Sequence, residues 1–399
     1  MPSVPNDVFF AHLQQRLQAG ALGQPQVVLD LARVDRNLDR LRRALGPRAL
    51  RVAVKSLPCP ALVERIIAQA GTRRLMVFDA AMLEQCLARW PDADVLLGKP
   101  LPAAAVMRVV DRWTAGEFAQ RASHVHFLVD TPQRIGQYAA LAAAAGTRLG
   151  VCLELDVGMH RGGAGSPAEI DAVLAALDRA GVRLELRGFM GYDAHCAKAP
   201  WPRQPHAAAR AAARAYAGLV AHARRSAPTV TATATLLDGS GSPTFTLLDP
   251  ASPVNDVAVG SALVKPTDFD LPGLAEFEPA AWIAAPVLKD CKGVRLPFLE
   301  RFERLTGRGR RTLFLYGGRW MARPAWPPGL AASRLYGASS NQQMMTVPLG
   351  AAVAVDDYVF LRPTQSEVVL GQFGFVTALH ANGRLEYWPT FPPGRVDDV

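Results

Sequence analysis

Several places in this chain combine residue types and spacing that could do chemistry. Lys55 closes the apolar run Arg51-Val-Ala-Val-Lys55, just before Ser-Leu-Pro. An unpaired ammonium is costly to bury, and a lysine held at a strand end is a nucleophile of the kind that forms Schiff bases with carbonyl compounds. The alternative is a lysine that snorkels to water or joins a salt bridge. A second apolar run, Cys-Leu-Glu-Leu, leads straight into Asp156-Val-Gly158-Met-His160-Arg161-Gly-Gly, so polar groups gather where a strand ends. A third stretch, Asp238-Gly239-Ser240-Gly241-Ser242-Pro-Thr244, has glycines that let the backbone approach a ligand closely. Its consecutive N–H groups and hydroxyls could form an anion nest; the competing reading is a flexible turn. Gly260-Ser261, at the end of another strand candidate, would complete such a cradle. His195, in Gly-Phe-Met-Gly-Tyr192-Asp-Ala-His195, is the one histidine placed to act on a substrate as acid or base; otherwise it is a hydrogen-bonded histidine of the same loop. His124 and His126 alternate along one strand candidate, with no third ligand to suggest zinc.

Those residues need elements to position them. From 26 to about 265, β-branched runs alternate with Ala/Leu-rich helical stretches. The strand candidates are 26–31, 51–55, 74–78, 94–98, 124–129, 149–155, 184–190, 231–237 and 256–264, with helical spacing over 61–70, 80–90, 132–145, 167–180 and 206–225. Apolar, two-sided strands separated by helices imply a parallel sheet. Leaving the first strand aside, the rest match the eight strands of a (β/α)8 TIM barrel, with a doubly wound open sheet as the rival. That barrel spans 26–268, and the reading ends of its strands are where Lys55, Arg161, His195 and the Gly-Ser loop fall. Beyond it, over 269–399, proline becomes frequent and helical spacing stops. The candidates 282–288, 311–315, 344–347, 357–362, 367–372 and 375–380 make this an all-β C-terminal domain. Residues 1–25 are expected to form a helix packed on one of the two domains.

Composition narrows the class. The chain of 399 residues is half apolar and one-fifth charged, an ordinary globular balance that excludes wholesale disorder. No run approaches the ~18 apolar residues of a membrane span, and the start, MPSVPNDVFFAHLQQ, has no basic segment ahead of an apolar core, so no signal peptide is expected. Five cysteines without a CxxC pair suit reduced thiols and a cytoplasmic location. The net charge of +9 comes from scattered arginines, with no basic tail or nucleic-acid-binding signature. No nucleic-acid or membrane partner is expected; the charge would help anionic small molecules approach.

Taken together, VVLDLARVDRNLDRL (27–41), RVAVKSLPCP (51–60), LELDVGMHRGGAG (153–165), RGFMGYDAH (187–195), DGSGSPT (238–244) and VGSALVK (259–265) resemble the alanine-racemase-like, fold-type III pyridoxal-phosphate enzymes. The nearest branch is that of D-threonine aldolase and D-serine dehydratase. The resemblance implies that Lys55 carries pyridoxal 5'-phosphate as a Schiff base. It also implies that Arg161 meets the cofactor's phenolic oxygen, where a fixed guanidinium suits the charge better than lysine would. The alternative for Arg161 is a salt bridge with Asp156. Tyr192 is expected to touch the cofactor, His195 to face the substrate, and Gly239, Ser240, Gly241, Ser242, Gly260 and Ser261 to cradle the phosphate. Asp156 and His160 are read as shaping their loop. A homodimer is implied, each site closed by the other copy's β domain.

The chain departs from that branch at the metal. The relatives hold a divalent ion through a His-x-Asp or His-x-Cys pair, whereas here Gln365 and Glu367 occupy those positions, and Asn341-Gln342-Gln343 replaces an acidic-His stretch. Neutral amides and one carboxylate suit zinc poorly, although Mg2+ or Mn2+ through Glu367 stays open. The expected function is a lyase, of aldolase or dehydratase type, on a D-configured β-hydroxy amino acid. The alternatives are an amino-acid racemase or epimerase, for which Tyr316 and Tyr336 are candidate second bases, and a pyridoxal-phosphate-binding protein with little turnover.

Overall fold

The computed structural model describes residues 7–201, 204–293, 309–333 and 337–392. The chain divides into two compact units, one drawn from Met1–Asn37, Pro58–Ala61 and Ser261–Thr390, the other from Leu38–Leu57, Leu62–Gly260 and Phe391–Val399. The first strand, β1 (Gln26–Asp30), belongs to the former. The next eight are β2 (Ala49–Ala53), β3 (Arg74–Val77), β4 (Asp94–Leu97), β5 (Val125–Val129), β6 (Leu149–Glu154), β7 (Leu184–Gly191), β8 (Leu236–Gly239) and β9 (Asp256–Val259), and they form a closed parallel barrel. The fold is thus a TIM barrel followed by a C-terminal all-β domain.

The barrel strands read as uninterrupted apolar runs because both faces are covered, as the burial of all of β5 and β9 shows. The outer helices start on side-chain caps that stop each βα loop at a defined residue. Asp79, Thr131 and Ser166 accept the backbone N–H of Met82, Arg134 and Glu169, with Pro132 and Pro167 opening two of these helices. The Ala-rich helix Pro205–Ser226 buries Ala209, Ala212, Tyr216, Leu219, Val220 and Ala223, a stripe of three- and four-residue steps, while its arginines face outward.

Inside the barrel, near the strand starts, lies a fully buried arginine. Arg51 of β2 donates to Asp256 of β9 through Nε (2.8 Å) and Nη2 (3.1 Å), and through Nη1 to the Leu75 carbonyl of β3 (3.0 Å) and to Asp94 of β4 (2.8 Å). Arg74 also pairs with Asp256, and His126 Nε2 lies 3.0 Å from Asp94. Burial opposes the charge on Arg51, but Asp256 and Asp94 outweigh it and raise its pKa. Asp94 is held below its usual range because His126 and Arg51 outweigh its own burial. The neighbouring Asp238 is pushed well up by its burial and by the charge of Asp256.

The other unit is built on a nine-stranded sheet. Its strands are β1, β10 (Ala281–Lys292), β11 (Arg310–Tyr316), β12 (Ala322–Trp326), β13 (Ala331–Ala332), β14 (Gln342–Pro348), β15 (Tyr358–Pro363), β16 (Phe375–Leu379) and β17 (Leu385–Pro389). β1, which opens the 26–268 span, pairs antiparallel with β10 and parallel with β16 rather than with any barrel strand. The helix Asp7–Ala19 packs here: Phe10 stacks on Phe360 at 4.9 Å and meets Trp282 edge-on at 5.8 Å.

Three strand assignments differ from expectation. The segment 256–264 is a strand only as far as Val259, and Ser261–Val264 is a short helix. The segment 231–237 opens as the end of a short helix, Pro228–Thr231, where the Thr231 hydroxyl donates to the Ala227 carbonyl, and β8 starts only at Leu236. The segment 367–372, β-like by its valines, is the helix Ser366–Leu370 with a 3-10 turn after it. Val369 and Leu370 are buried while Glu367 and Val368 are exposed, so one-sided burial overrides β propensity.

The buried cluster predicts a stability effect. Arg51→Leu should cost about 3–5 kcal/mol in urea unfolding, because it leaves Asp256 buried with Arg74 alone, whereas Arg51→Leu with Asp256→Leu should recover much of that loss. A carboxyl held low stabilises above its unfolded-state value. The Asp94 contribution should therefore persist at neutral pH and fade only on strong acidification, as pH falls through its depressed folded-state value.

Candidate active site

The strand ends opposite the arginine cluster carry most of the residues singled out by sequence. β2 stops at Ala53, and the 3-10 turn Val54–Ser56 presents Lys55 half-buried. The Lys55 ammonium lies 4.3 Å from the centroid of the Phe78 ring, a cation–π contact. Phe78, one residue past β3, packs onto Gly98, one residue past β4, where a Cβ would come within 2.2 Å of the ring. Gly260, one residue past β9, is equally constrained: its Cβ would lie 2.6 Å from the Ala53 carbonyl and 2.7 Å from Ser56 Cβ. Only glycine lets the last strand close against the turn that holds the lysine.

The Gly-Ser loop follows β8. Gly260 N–H donates to Ser242 Oγ (3.1 Å), which ties this loop to the end of β9. Ser240 adopts the left-handed region (φ 66°), and its hydroxyl pairs with Thr244 Oγ1 (2.9 Å). That Thr244 hydroxyl donates to Asp193 Oδ1 at 2.5 Å. Burial raises the pKa of Asp193, and the Thr244 hydrogen bond partly offsets the rise. The glycines leave space that side chains would fill: a Cβ on Gly241 would meet Tyr192 Cε2 at 2.9 Å, and one on Gly239 would meet Val254 at 2.7 Å.

Tyr192 joins three loops. Its edge lies beside Gly241 after β8, its own segment follows β7, and Arg161 from the loop after β6 sits with Cζ 5.1 Å from its ring centroid. Asp156 is committed to its own loop: it accepts from Gly158 N–H (2.9 Å) and His160 N–H (3.0 Å), and its other oxygen meets His160 Nδ1 at 2.8 Å. Burial opposes the charge on Asp156, but these partners together outweigh it and hold its pKa low. The salt bridge between Asp156 and Arg161 does not form; Arg161 stays exposed, and His160 points outward. His195 sits in the 3-10 turn Ala194–Lys198, and a Cβ on Gly158 (φ 111°) would come 3.2 Å from its Nε2. His195 Nε2 is 3.5 Å from Cys196 Sγ, and its Nδ1 is buried without a hydrogen-bond partner.

Lys55, Arg161, Tyr192, His195, Gly239, Ser240, Gly241, Ser242 and Gly260 therefore all belong to the barrel's strand ends. Ser261 starts a short helix in the other unit, where its hydroxyl pairs with Ser366 at 2.9 Å. Gln365 and Glu367 also lie there. Gln365 caps the helix, extended, with Nε2 donating to Asp268 (3.3 Å), and Glu367 is in the first turn. Among the described residues no group of three His, Cys, Asp or Glu side chains gathers for a metal ion, and an amide with one carboxylate does not fit zinc. Tyr316 is exposed at the end of β11, and Tyr336 lies outside the described residues. His126 joins the buried arginine cluster, while His124 precedes its strand and is exposed.

Sequence reasoning missed Phe78 and Glu154. Glu154 is the last residue of β6, half-buried, with its pKa pushed up to about 7 by burial and by the charges of Asp130 and Asp156, against the pull of Arg161. The signal was present, since a carboxylate at a barrel strand's C-terminal end invites a functional reading.

A lysine just past one barrel strand, glycine- and hydroxyl-rich loops at the same strand ends and a β domain after the barrel fit the fold-type III pyridoxal-phosphate enzymes. Residues 29–267, more than half of the chain, match the family of the alanine racemase N-terminal domain, and the chain belongs to that family. Among solved structures it is similar to D-threonine aldolase from Filomicrobium marinum (20% identity, TM-score 0.73, 92% of this chain and 94% of that one). It is also similar to D-threo-3-hydroxyaspartate dehydratase from Delftia sp. HT23 (18%, 0.68, 92% and 97%). Alanine racemase from Bacillus anthracis gives 16% identity and a TM-score of 0.68, over 92% of this chain and 98% of that one. No curated protein matches the chain.

The close approach at Gly260 is testable. Gly260→Ala should lower covalent retention of pyridoxal phosphate at least tenfold, because backbone or the Lys55 turn must move (one factor of ten is ~1.4 kcal/mol). Gly218→Ala, on an outer helix with open space at its Cβ, should leave retention unchanged. Absorbance of the bound cofactor after gel filtration reads both.

Proposed function

We propose that this protein is a pyridoxal-phosphate-dependent lyase acting on a D-configured β-hydroxy amino acid. The observation that carries the lyase reading is His195, a half-buried imidazole beside Gly158 with one ring nitrogen sealed and unbonded. Such a group is restricted to exchanging a proton through Nε2. The configuration and the β-hydroxyl are taken from the aldolase and dehydratase neighbours. When bound, the cofactor supplies an electron sink for the bond at the substrate α-carbon that stands perpendicular to its ring. The chain supplies the rest. Lys55 holds the cofactor covalently from a turn fixed by Gly260. The N–H groups and hydroxyls of 239–242 hold an anionic phosphate, Tyr192 fixes the loops around it, and Arg161 offers a guanidinium to the ring oxygen. For aldol-type cleavage His195 would take the substrate's hydroxyl proton at Nε2, and for dehydration it would give a proton to the departing hydroxyl, the work a metal would otherwise assist, since Gln365 and Glu367 make a poor metal pair.

A homodimer closed at each mouth by the partner copy's β domain goes with this reading. A racemase needs a second base on the opposite side of the substrate. The exposed phenol of Tyr316 is the observation that keeps that reading open, because a residue so exposed is available to a second copy.

Four measurements test the reading. Borohydride reduction and peptide mapping should place the cofactor on Lys55, and an adduct on Lys99 or Lys265 would overturn the site. His195→Gln should cut turnover roughly 10²–10⁴-fold with the Lys55 adduct intact. D- and L-amino acids should be screened with and without EDTA, scoring aldehyde, keto acid and inverted enantiomer separately. Aldehyde or keto acid that persists in EDTA is expected, and inversion alone would favour the racemase. Light scattering should give a dimer; a fully active monomer would contradict the shared mouth.

A further inference from the structure

The loop that carries Arg161 folds back over the end of its own strand. Ala164 N–H donates to the Glu154 carbonyl (2.9 Å), and Asp156 N–H to the Ala164 carbonyl (3.1 Å), so the chain from 156 to 164 closes above Glu154. Gly162 and Gly163, with φ of 138° and 91°, make that reversal; a Cβ on Gly162 would lie 3.8 Å from Glu154 Oε2. The backbone just after Arg161 thus passes over the Glu154 carboxyl. Among the described residues that carboxyl has no hydrogen bond and no ion pair, and Arg161 has no ion pair either. We propose that Glu154 is a positioning residue that competes with the cofactor's ring oxygen for the guanidinium of Arg161, so that protonating Glu154 releases Arg161 to the cofactor.

The inference rests on the pyridoxal-phosphate reading above. The charged groups that bear on Glu154 are Asp130, after β5, and Asp156 and Arg161, from the loop after β6. The two aspartates and partial burial favour the neutral carboxyl, and Arg161 alone favours the charged one. The balance lies near neutrality, at about 7, so the carboxyl changes charge within the range where such an enzyme is assayed. Above that range a carboxylate draws Arg161 back over the strand end. Below it, the neutral acid leaves the guanidinium free to face the ring oxygen, with Tyr192 as its platform. Nothing in Glu154 need touch substrate for this effect.

The test measures pyridoxal phosphate dissociation constants for the native chain and for Glu154→Gln, by absorbance from pH 6 to pH 8.5. Taking the ratio cancels the titration of the cofactor and of Lys55, which both proteins share. The ratio of native to variant should be near one at the acid end and rise about three- to tenfold at the alkaline end, with tenfold equal to one unit of pKa coupling. In an Arg161→Ala background the same comparison should be flat, because the effect runs through Arg161. A constant ratio across pH, with Lys55 still carrying the cofactor, overturns the positioning role alone; a merely structural Glu154 would give that result. A pH-dependent ratio that survives Arg161→Ala also overturns it. Failure of Lys55 to form any adduct overturns this inference and the cofactor reading together.

Discussion

Closure of the barrel between its first and last strands is the constraint on which the rest depends. β2 and β9 run in register from Ala49 opposite Asp256 to Val52 opposite Val259. At one end of that seam the buried Arg51 holds Asp256 and reaches on to β3 and β4. At the other end Gly260 lies against the Ala53 carbonyl and Ser56, leaving no room for a side chain. Arg51 and Lys55 are four residues apart on one segment, so the polar cluster that fixes the seam also fixes the height at which the lysine emerges. The aspartates of the cluster keep Arg51 charged, and that charge in turn makes burial of Asp256 and Asp94 tolerable.

The two ends of the barrel handle charge differently. Around Arg51 nearly every formal charge has a partner at hydrogen-bond distance, the arrangement expected of a structural cluster. At the mouth, Asp156 is held by His160 and two N–H groups, and Asp193 by Thr244, so both are tied to loop geometry. Lys55 faces an aromatic ring, Arg161 lies over Tyr192, and His195 has one unbonded nitrogen. Asp156 and Asp193 are thus tied into their loops, while Lys55 and Arg161 bring positive charge to the same strand ends, an arrangement that suits an anionic ligand.

Much of this was legible in the sequence, for physical reasons. Two-sided burial makes barrel strands continuous apolar runs, and side-chain caps mark where helices begin, so the alternation from 26 to 265 could be read directly. Lys55 stood out because an ammonium rarely ends an apolar strand, and the glycines of 239–241 and 260 because small residues clustered at strand ends signal close approach. What escaped depended on tertiary context. Phe78 reads as the last apolar residue of a strand, and the missing side chain at Gly98 leaves room for the ring that lies beside Lys55. Glu154 stands at a strand's C-terminal end, a legible signal, but its burial and its aspartate neighbours emerge only once the loop closes above it. The valines of 367–370 read as a strand because propensity is local, whereas their helix follows from which of them are buried.

That last segment matters for chemistry as well as fold. A pair of ligands two residues apart on a strand shares a face and can meet one ion. Here Gln365 is a helix cap whose amide is turned to Asp268, and Glu367 opens the first turn. The amide's donor end is thereby fixed by a carboxylate, an arrangement that orders the segment without requiring a cation. Under the proposed lyase reading, polarisation of a substrate hydroxyl falls to a group that can exchange a proton, and the half-buried His195 beside Gly158 is the imidazole offered for it. The uncharged amide at 365 and the sealed Nδ1 of His195 are independent observations, and both favour that reading.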